Sequence, residues 1–225
     1  MNQTAETTSA RQQQAEKTRA SILDAAEQLF ADRGFAGTSM AEVARISKTS
    51  KPLIHHHFHS KRDLYLAIQQ RVIARLPEYE IDPETLLAAA KPGDTPTSAF
   101  LRAGLLTLRD FLQHNPTYVR LTAWARLEQQ IVETAAPLPA QNEILELVVD
   151  RIREAQAADL IQSDIDPATL MIILGGALYF FLEHQDQYAS LIKQDKHSPT
   201  SANNIVDQYI DQLVRVMASG ITLNK

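Results

Sequence analysis

Four histidines fall within five positions, His55, His56, His57 and His59, and they are the first residues in this chain that could do chemistry. His55 and His59 stand four apart and can share one helix face, a spacing that suits zinc. The nearby carboxylate that could complete such a site is Asp63, but the S-x-x-D pattern opened by Ser60 claims it as a helix cap. Around the histidines lie Thr38, Ser39, Thr49, Ser50, Lys51, Pro52, Leu53 and Lys61. Lysines and hydroxyls bind phosphate, and compact apolar groups such as Leu53 and the Pro52 ring suit thymine methyls; Lys51 could instead reach a guanine. Two readings are therefore open: a metal-dependent hydrolase using His55 and His59, or a nucleic-acid-binding surface. The first requires bound metal in the purified protein, and the second requires affinity that falls steeply with salt. No other catalytic constellation is present. No enzyme activity, resident metal or cofactor is expected.

Aromatic and ionisable residues also gather further along. Tyr118 and Trp124 lie near Arg120, Arg126 and Glu128 on one predicted helix, and are expected to face helices carrying Phe100, Arg102, Phe111 and His114. Tyr179, Phe180, Phe181, Glu183 and His184 follow. Ordinary core packing accounts for most of these aromatics.

The elements that must position the first cluster are short helices. Ser39 caps one, with Glu42 completing a capping box, and Met40, Val43 and Ala44 form its buried face. Ser47, Lys48 and Thr49 break the pattern. A second helix starts near Ser50 with Pro52 in its first turn, and Ile54 and Phe58 turn inward. Upstream, Ile22, Ala26, Leu29 and Phe30 recur at helical spacing from about Lys17; Gly34 is placed as a C′ cap and Phe35 packs back on Phe30. Residues 1–14 are polar and are expected to be disordered. The helix opened by Ser60 carries Leu64, Tyr65, Ile68 and Val72 and stops by Pro77. Residues 77–96 read as a linker with a short helix near 84–90. Thr95-Pro96, Asn115-Pro116 and Asp166-Pro167 each pair a capping residue with a first-position proline, predicting helices over about 97–113, 116–134 and 167–188. Periodicity adds 140–160 and 204–219. No stretch alternates with period two, so about nine helices and an all-α fold are expected.

Gly34-Phe35, Thr38-Ser39-Met40, Ala41-Glu42-Val43-Ala44, Ser50-Lys51 and Phe58-His59-Ser60-Lys61-Arg62-Asp63-Leu64 together resemble the DNA-binding domain of the tetracycline-repressor (TetR) family. The likeness covers roughly residues 17–76. The chain departs from the family pattern in three places: Ser47-Lys48 replaces a small-Gly pair, Thr49 an apolar residue and His55 an aromatic. The resemblance implies a three-helix head over 15–76, its helix–turn–helix at about 38–57, and a helical effector-binding and dimerisation domain over 77–225. It implies that Thr38, Ser39, Lys51, His55 and Lys61 meet phosphates, that Thr49, Pro52, Leu53 and His56 face base edges, and that Ser50 belongs to the same surface. It also implies an apolar effector pocket, for which Phe100, Phe111, Tyr118, Trp124 and Tyr179 are the candidates. The last two helices resemble the pair that dimerises in this family, where Gly175, Gly176 and Ala177 would admit a close neighbour; packing within one chain explains those three nearly as well. The expected function is a ligand-responsive repressor that binds a palindromic DNA operator as a homodimer. A helical adaptor whose head no longer binds DNA is the second alternative.

Charge agrees with a basic head. The chain of 225 residues has a net charge of −5, yet residues 1–76 hold 11 Lys/Arg against 7 Asp/Glu while the rest hold 11 against 20. A basic binding surface on an acidic body has this asymmetry. There is no cysteine. The N-terminus lacks an apolar signal-peptide core, and the longest apolar run, 170–182, is too short to span a bilayer. A cytoplasmic protein with no membrane partner is expected.

Overall fold

Capping and burial divide the chain into helices much as the spacing predicts. The computed structural model describes residues 2–75, 88–128, 139–192 and 202–221. Among them are ten bounded α-helices: α1 (Asn2–Arg33), α2 (Met40–Ile46), α3 (Lys51–His57), α4 (Lys61–Ile73), α5 (Pro96–His114), α6 (Pro116–Leu127), α7 (Pro139–Ala157), α8 (Pro167–Glu183), α9 (Gln185–Tyr188) and α10 (Ala202–Ile221). A 3-10 turn covers Ala189–Leu191, and no strand occurs among the described residues. The fold is all-α.

Several expectations need correction. Residues 2–14 belong to α1 instead of being disordered, because Ala10, the three glutamines 12–14 and Ala15 carry an anchored helix backwards at little cost. The first helix thus starts well before Lys17. α6 ends at Leu127, short of residue 134, where Glu128 leaves helical geometry and its N–H closes on the Trp124 carbonyl. α8 ends at Glu183, where the His184 N–H caps Phe180 and Phe181, and the last expected turn becomes the separate α9. Asn115 makes no side-chain cap at α6. Its Oδ1 instead accepts from Arg75 Nη1 at 3.4 Å. The Thr95 and Asp166 caps form as expected, on Ser98 N–H and Thr169 N–H. Of the short helix near 84–90, Ala88 and Ala89 are helical and Ala90 is not; residues 84–87 and Pro77 lie outside the described residues.

The described residues form two units, one from 1–75 with 114–141 and the other from 76–113 with 142–225. In the first, α1 to α4 and α6 enclose Ile22, Ala26, Phe30, Val43, Ile54, Phe58, Leu64, Ile68, Val72 and Leu121. Phe30, Phe35 and Tyr65 form an aromatic trio, Phe35 stacked on Phe30 at 6.1 Å and Tyr65 edge-on to both. Burial pushes the Tyr65 hydroxyl up to about 12, with the Glu128 charge adding to the shift. Glu27 lies buried in α1, where its carboxylate accepts from Thr117 Oγ1 at 2.7 Å and from both terminal nitrogens of Arg75.

The second unit packs Leu101, Leu105, Ile152, Ile161, Leu170, Leu178, Val206, Ile210 and Val214 together. Beside this core the Arg102 guanidinium, 7% exposed, pairs with Asp94 and Asp211, and Lys91 also reaches Asp211. Its hydrogen bonds hold the Asp94 carboxyl below the usual carboxylate range. Arg109 pairs with Asp207 in the same way, so two arginines of α5 meet two aspartates of α10.

Candidate nucleic-acid interface

The helix–turn–helix is built from three serine caps and one strained turn. Ser39 Oγ accepts from Glu42 N–H at 3.2 Å, Ser50 Oγ from Leu53 N–H at 3.3 Å, and Ser60 Oγ from Asp63 N–H at 3.0 Å. Only half of the expected capping box is seen at α2, since the Glu42 carboxylate meets Arg33 at 2.5 Å. Between α2 and α3, Lys48 takes φ 54, the left-handed conformation that a glycine would adopt freely. The turn keeps its shape through Ser47, whose buried hydroxyl donates to the Val43 carbonyl at 2.7 Å and lies 2.8 Å from Thr49 Oγ1. Thr49 N–H also donates to the Ala44 carbonyl.

Ile54, fully buried, and Phe58 anchor α3 from beneath. The opposite side of α3 stays open: Lys51, Pro52, Leu53, His55 and His56 are all exposed, as is Ser50 at the cap. Leu53 is 38% exposed. Ser39 is also exposed and Thr49 is half-buried. The remaining sequence candidates are placed differently. Thr38 is buried and its Oγ1 donates to the Gly34 carbonyl at 2.9 Å. Lys61 is half-buried, its Nζ 4.4 Å above the Phe35 ring, and burial lowers its pKa against the opposing pull of Glu128.

The histidines are used locally. His55 Nδ1 lies 3.2 Å from the His59 carbonyl oxygen, a contact that closes the end of α3. His57 is half-buried, and desolvation followed by the charges of His56 and Arg19 lowers its pKa. Among the described residues no group of three His, Cys, Asp or Glu side chains is placed to hold a metal ion.

The five effector candidates do not share one unit. Tyr118 and Trp124 belong to the first, where Tyr118 packs on the core and Trp124 Nε1 donates to the Ala31 carbonyl at 3.1 Å. Phe100 and Phe111 belong to the second with Tyr179; Phe111 is buried and the other two are half-buried. Sequence reasoning missed Glu27, Glu128 and the Arg102 cluster as organising groups. Glu27 meets Thr117 ninety positions away. Local spacing holds no signal for such a partner.

Comparison with known proteins agrees with this architecture. Residues 22–68 match the family described as "Bacterial regulatory proteins, tetR family", and residues 106–210 match "Tetracyclin repressor-like, C-terminal domain". The chain is 25% identical over 190 residues to the HTH-type transcriptional repressor NicS of Pseudomonas putida, covering 84% of this chain and 86% of that protein. It is 29% identical to the HTH-type transcriptional regulator AcrR of Shigella flexneri, covering 76% and 80% respectively. Among solved structures, Salmonella enterica GusR superposes with a TM-score of 0.62 at 24% identity, over 90% of this chain and 94% of that one. None of the described helices is long and apolar enough to cross a membrane. With a capped helix–turn–helix whose second helix presents basic, imidazole and apolar groups outward, and family matches in both parts of the chain, this protein belongs to the TetR family of DNA-binding, ligand-responsive transcriptional regulators.

Proposed function

We propose that this protein is a repressor that binds a palindromic operator as a homodimer and leaves it when a small-molecule effector binds. The observation that carries the reading is the outward face of α3, where Lys51, Pro52, Leu53, His55 and His56 are exposed around a helix start held by Ser50. In this assignment Lys51, His55, Ser39 and Lys61 meet phosphates, while Pro52, Leu53, His56 and Thr49 face base edges. Thr38 contributes through its buried bond to Gly34 and any backbone contact it makes. Residues 15–76 carry DNA binding; residues 77–225 carry effector binding and dimerisation, although α6 within that range packs in the first unit.

A single head reads only a few base pairs, so useful affinity needs two heads on successive major grooves, about 34 Å apart. Exposed apolar groups support a dimer built from α8 and α10: Ile172, Ile173 and Phe180 on α8 and Val216 on α10 are 47–66% exposed. Gly176 on α8 leaves open space where a side chain would stand. The effector acts by favouring a conformation whose heads no longer match that spacing. Phe100, Phe111 and Tyr179, which share the second unit, are its candidate contacts, whereas Tyr118 and Trp124 pack within the first unit. The similarity to a repressor, NicS, supports repression.

The test is selection of genomic DNA fragments by the purified dimer, followed by sequencing. Recovery of a two-fold symmetric site, with affinity that falls steeply with salt, is the expected result. Binding that shows no sequence preference after ligand has been stripped from the protein would defeat the reading.

A further inference from the structure

We propose that Glu128 is a positioning residue for DNA binding, holding the turn between α1 and α2 so that Ser39 and Lys61 meet the phosphate backbone together. Glu128 is only 6% exposed, at the end of α6. Oε2 accepts from Phe35 N–H at 2.6 Å and Oε1 from Ala36 N–H at 2.9 Å. Successive amides turned the same way form a concavity suited to an anion. A buried carboxylate is tolerated when it is satisfied in this manner.

The turn is shaped to admit that carboxylate. Gly34 has φ +71, and a Cβ there would come within 2.8 Å of Glu128 Oε1 and 2.7 Å of the Trp124 ring. The two amides Glu128 holds lead in two directions toward the DNA face. Phe35 carries the ring on which Lys61 Nζ rests. Ala36 precedes Gly37 and Thr38, and Ser39 then caps α2. Thr38 fixes the far side of the turn through its bond to the Gly34 carbonyl. Releasing the carboxylate frees both the platform beneath Lys61 and the approach to the α2 N-terminus. Glu128 acts through these groups and not by touching DNA.

The inference rests on DNA binding by the head, which wild-type protein tests in the same assay. Operator affinity is measured by fluorescence anisotropy across a salt series for wild type, Glu128→Gln, Glu128→Ala and Arg120→Ala, each checked for helix content and thermal midpoint. Glutamine can accept only one of the two N–H groups and turns an NH2 against the other. Affinity is expected to fall about tenfold for Glu128→Gln, the scale of one charge-assisted hydrogen bond, and further for Glu128→Ala. The salt slope should become shallower as the Lys61 contact is lost. Arg120→Ala, which breaks the exposed Arg120–Asp32 pair without touching the turn, should bind as wild type does. A folded Glu128→Gln with wild-type affinity and salt slope overturns the proposal while leaving DNA binding intact; absence of DNA binding by wild type overturns both. If neither Glu128 variant folds, amide exchange in the wild type decides. Protection of Phe35 and Ala36 matching the α6 amides supports the latch, and exchange at the rate of an open turn overturns it.

Discussion

Lys48 shows the cost of one residue out of type. A side chain at φ 54 brings Cβ near the following carbonyl, a penalty that glycine escapes. Lys48→Gly is therefore expected to stabilise the head, or at worst leave it unchanged, since relief of strain of about 1 kcal/mol is partly offset by the extra freedom of an unfolded glycine. The urea midpoint reads this directly; marked destabilisation would mean that Lys48 makes a contact worth more than its strain. The histidines of α3 give a second prediction. An imidazole beside a phosphate takes up its proton at higher pH, so operator binding should tighten as pH falls from about 7.5 to 6. His55 and His56 are the imidazoles exposed on α3. His57 is half-buried, and desolvation and its neighbours His56 and Arg19 disfavour its charged form. Replacing His55 and His56 with glutamine should flatten the profile at fixed salt. An unchanged profile in that double variant would place the titrating group elsewhere.

At the scale of elements, α6 is bound along its length to α1. Thr117 reaches Glu27, Arg120 reaches Asp32, Trp124 reaches the Ala31 carbonyl, and Glu128 reaches the turn beyond Gly34. The head is therefore a five-helix packing unit and not the three-helix bundle that its motif suggests. Gly34→Ala tests the closeness of this contact, since the new methyl would meet the Trp124 ring at 2.7 Å in a left-handed backbone. A loss of about 1–3 kcal/mol is expected. Trp124 is the single tryptophan of the chain, so its fluorescence should report both the shifted ring and the earlier melting. Wild-type stability and emission would show that the turn can open without cost.

At the scale of the whole molecule, charge clusters and exposed apolar surface govern different steps. Arg102→Met removes the guanidinium that Asp94 and Asp211 share and leaves Lys91 as their remaining cation, and is expected to cost the second unit about 3 kcal/mol, the range seen when one partner of a largely buried pair is removed. The sign of the pH effect follows from Asp94. Its folded-state pKa is depressed, so its stabilisation is complete above the ordinary carboxylate value and disappears as pH falls through the lower, folded value. Arg102→Met should therefore show a weaker loss of stability on acidification than wild type; equal acid sensitivity would exclude the pair as its source. For association, Ile172→Lys combined with Val216→Glu should give monomers by sedimentation and weaken binding to a two-fold site at least about 100-fold, because the second head no longer binds as part of one molecule. Dimers that survive both substitutions would place the interface on another surface.

Much of this was legible in the chain itself, wherever the physics is local. Ser39, Ser50 and Ser60 each cap the N–H three positions beyond them, Gly34 takes its left-handed cap, and Ile54 and Phe58 point inward, because a capping bond or a 3.6-residue period joins near neighbours. The exposed set on α3 follows from the same periodicity. Local pattern misjudged the N-terminus, where polar composition hid a helix that α1's anchored half extends, and it overran the ends of α6 and α8. Tertiary structure alone decided that Tyr118 and Trp124 pack in the unit that carries the helix–turn–helix, away from the unit of Phe100, Phe111 and Tyr179. It also decided that Glu27, Arg102 and Glu128 are organising charges. Their partners are brought near by packing across as many as 109 positions, and no spacing along the chain encodes which buried acceptor will meet which donor.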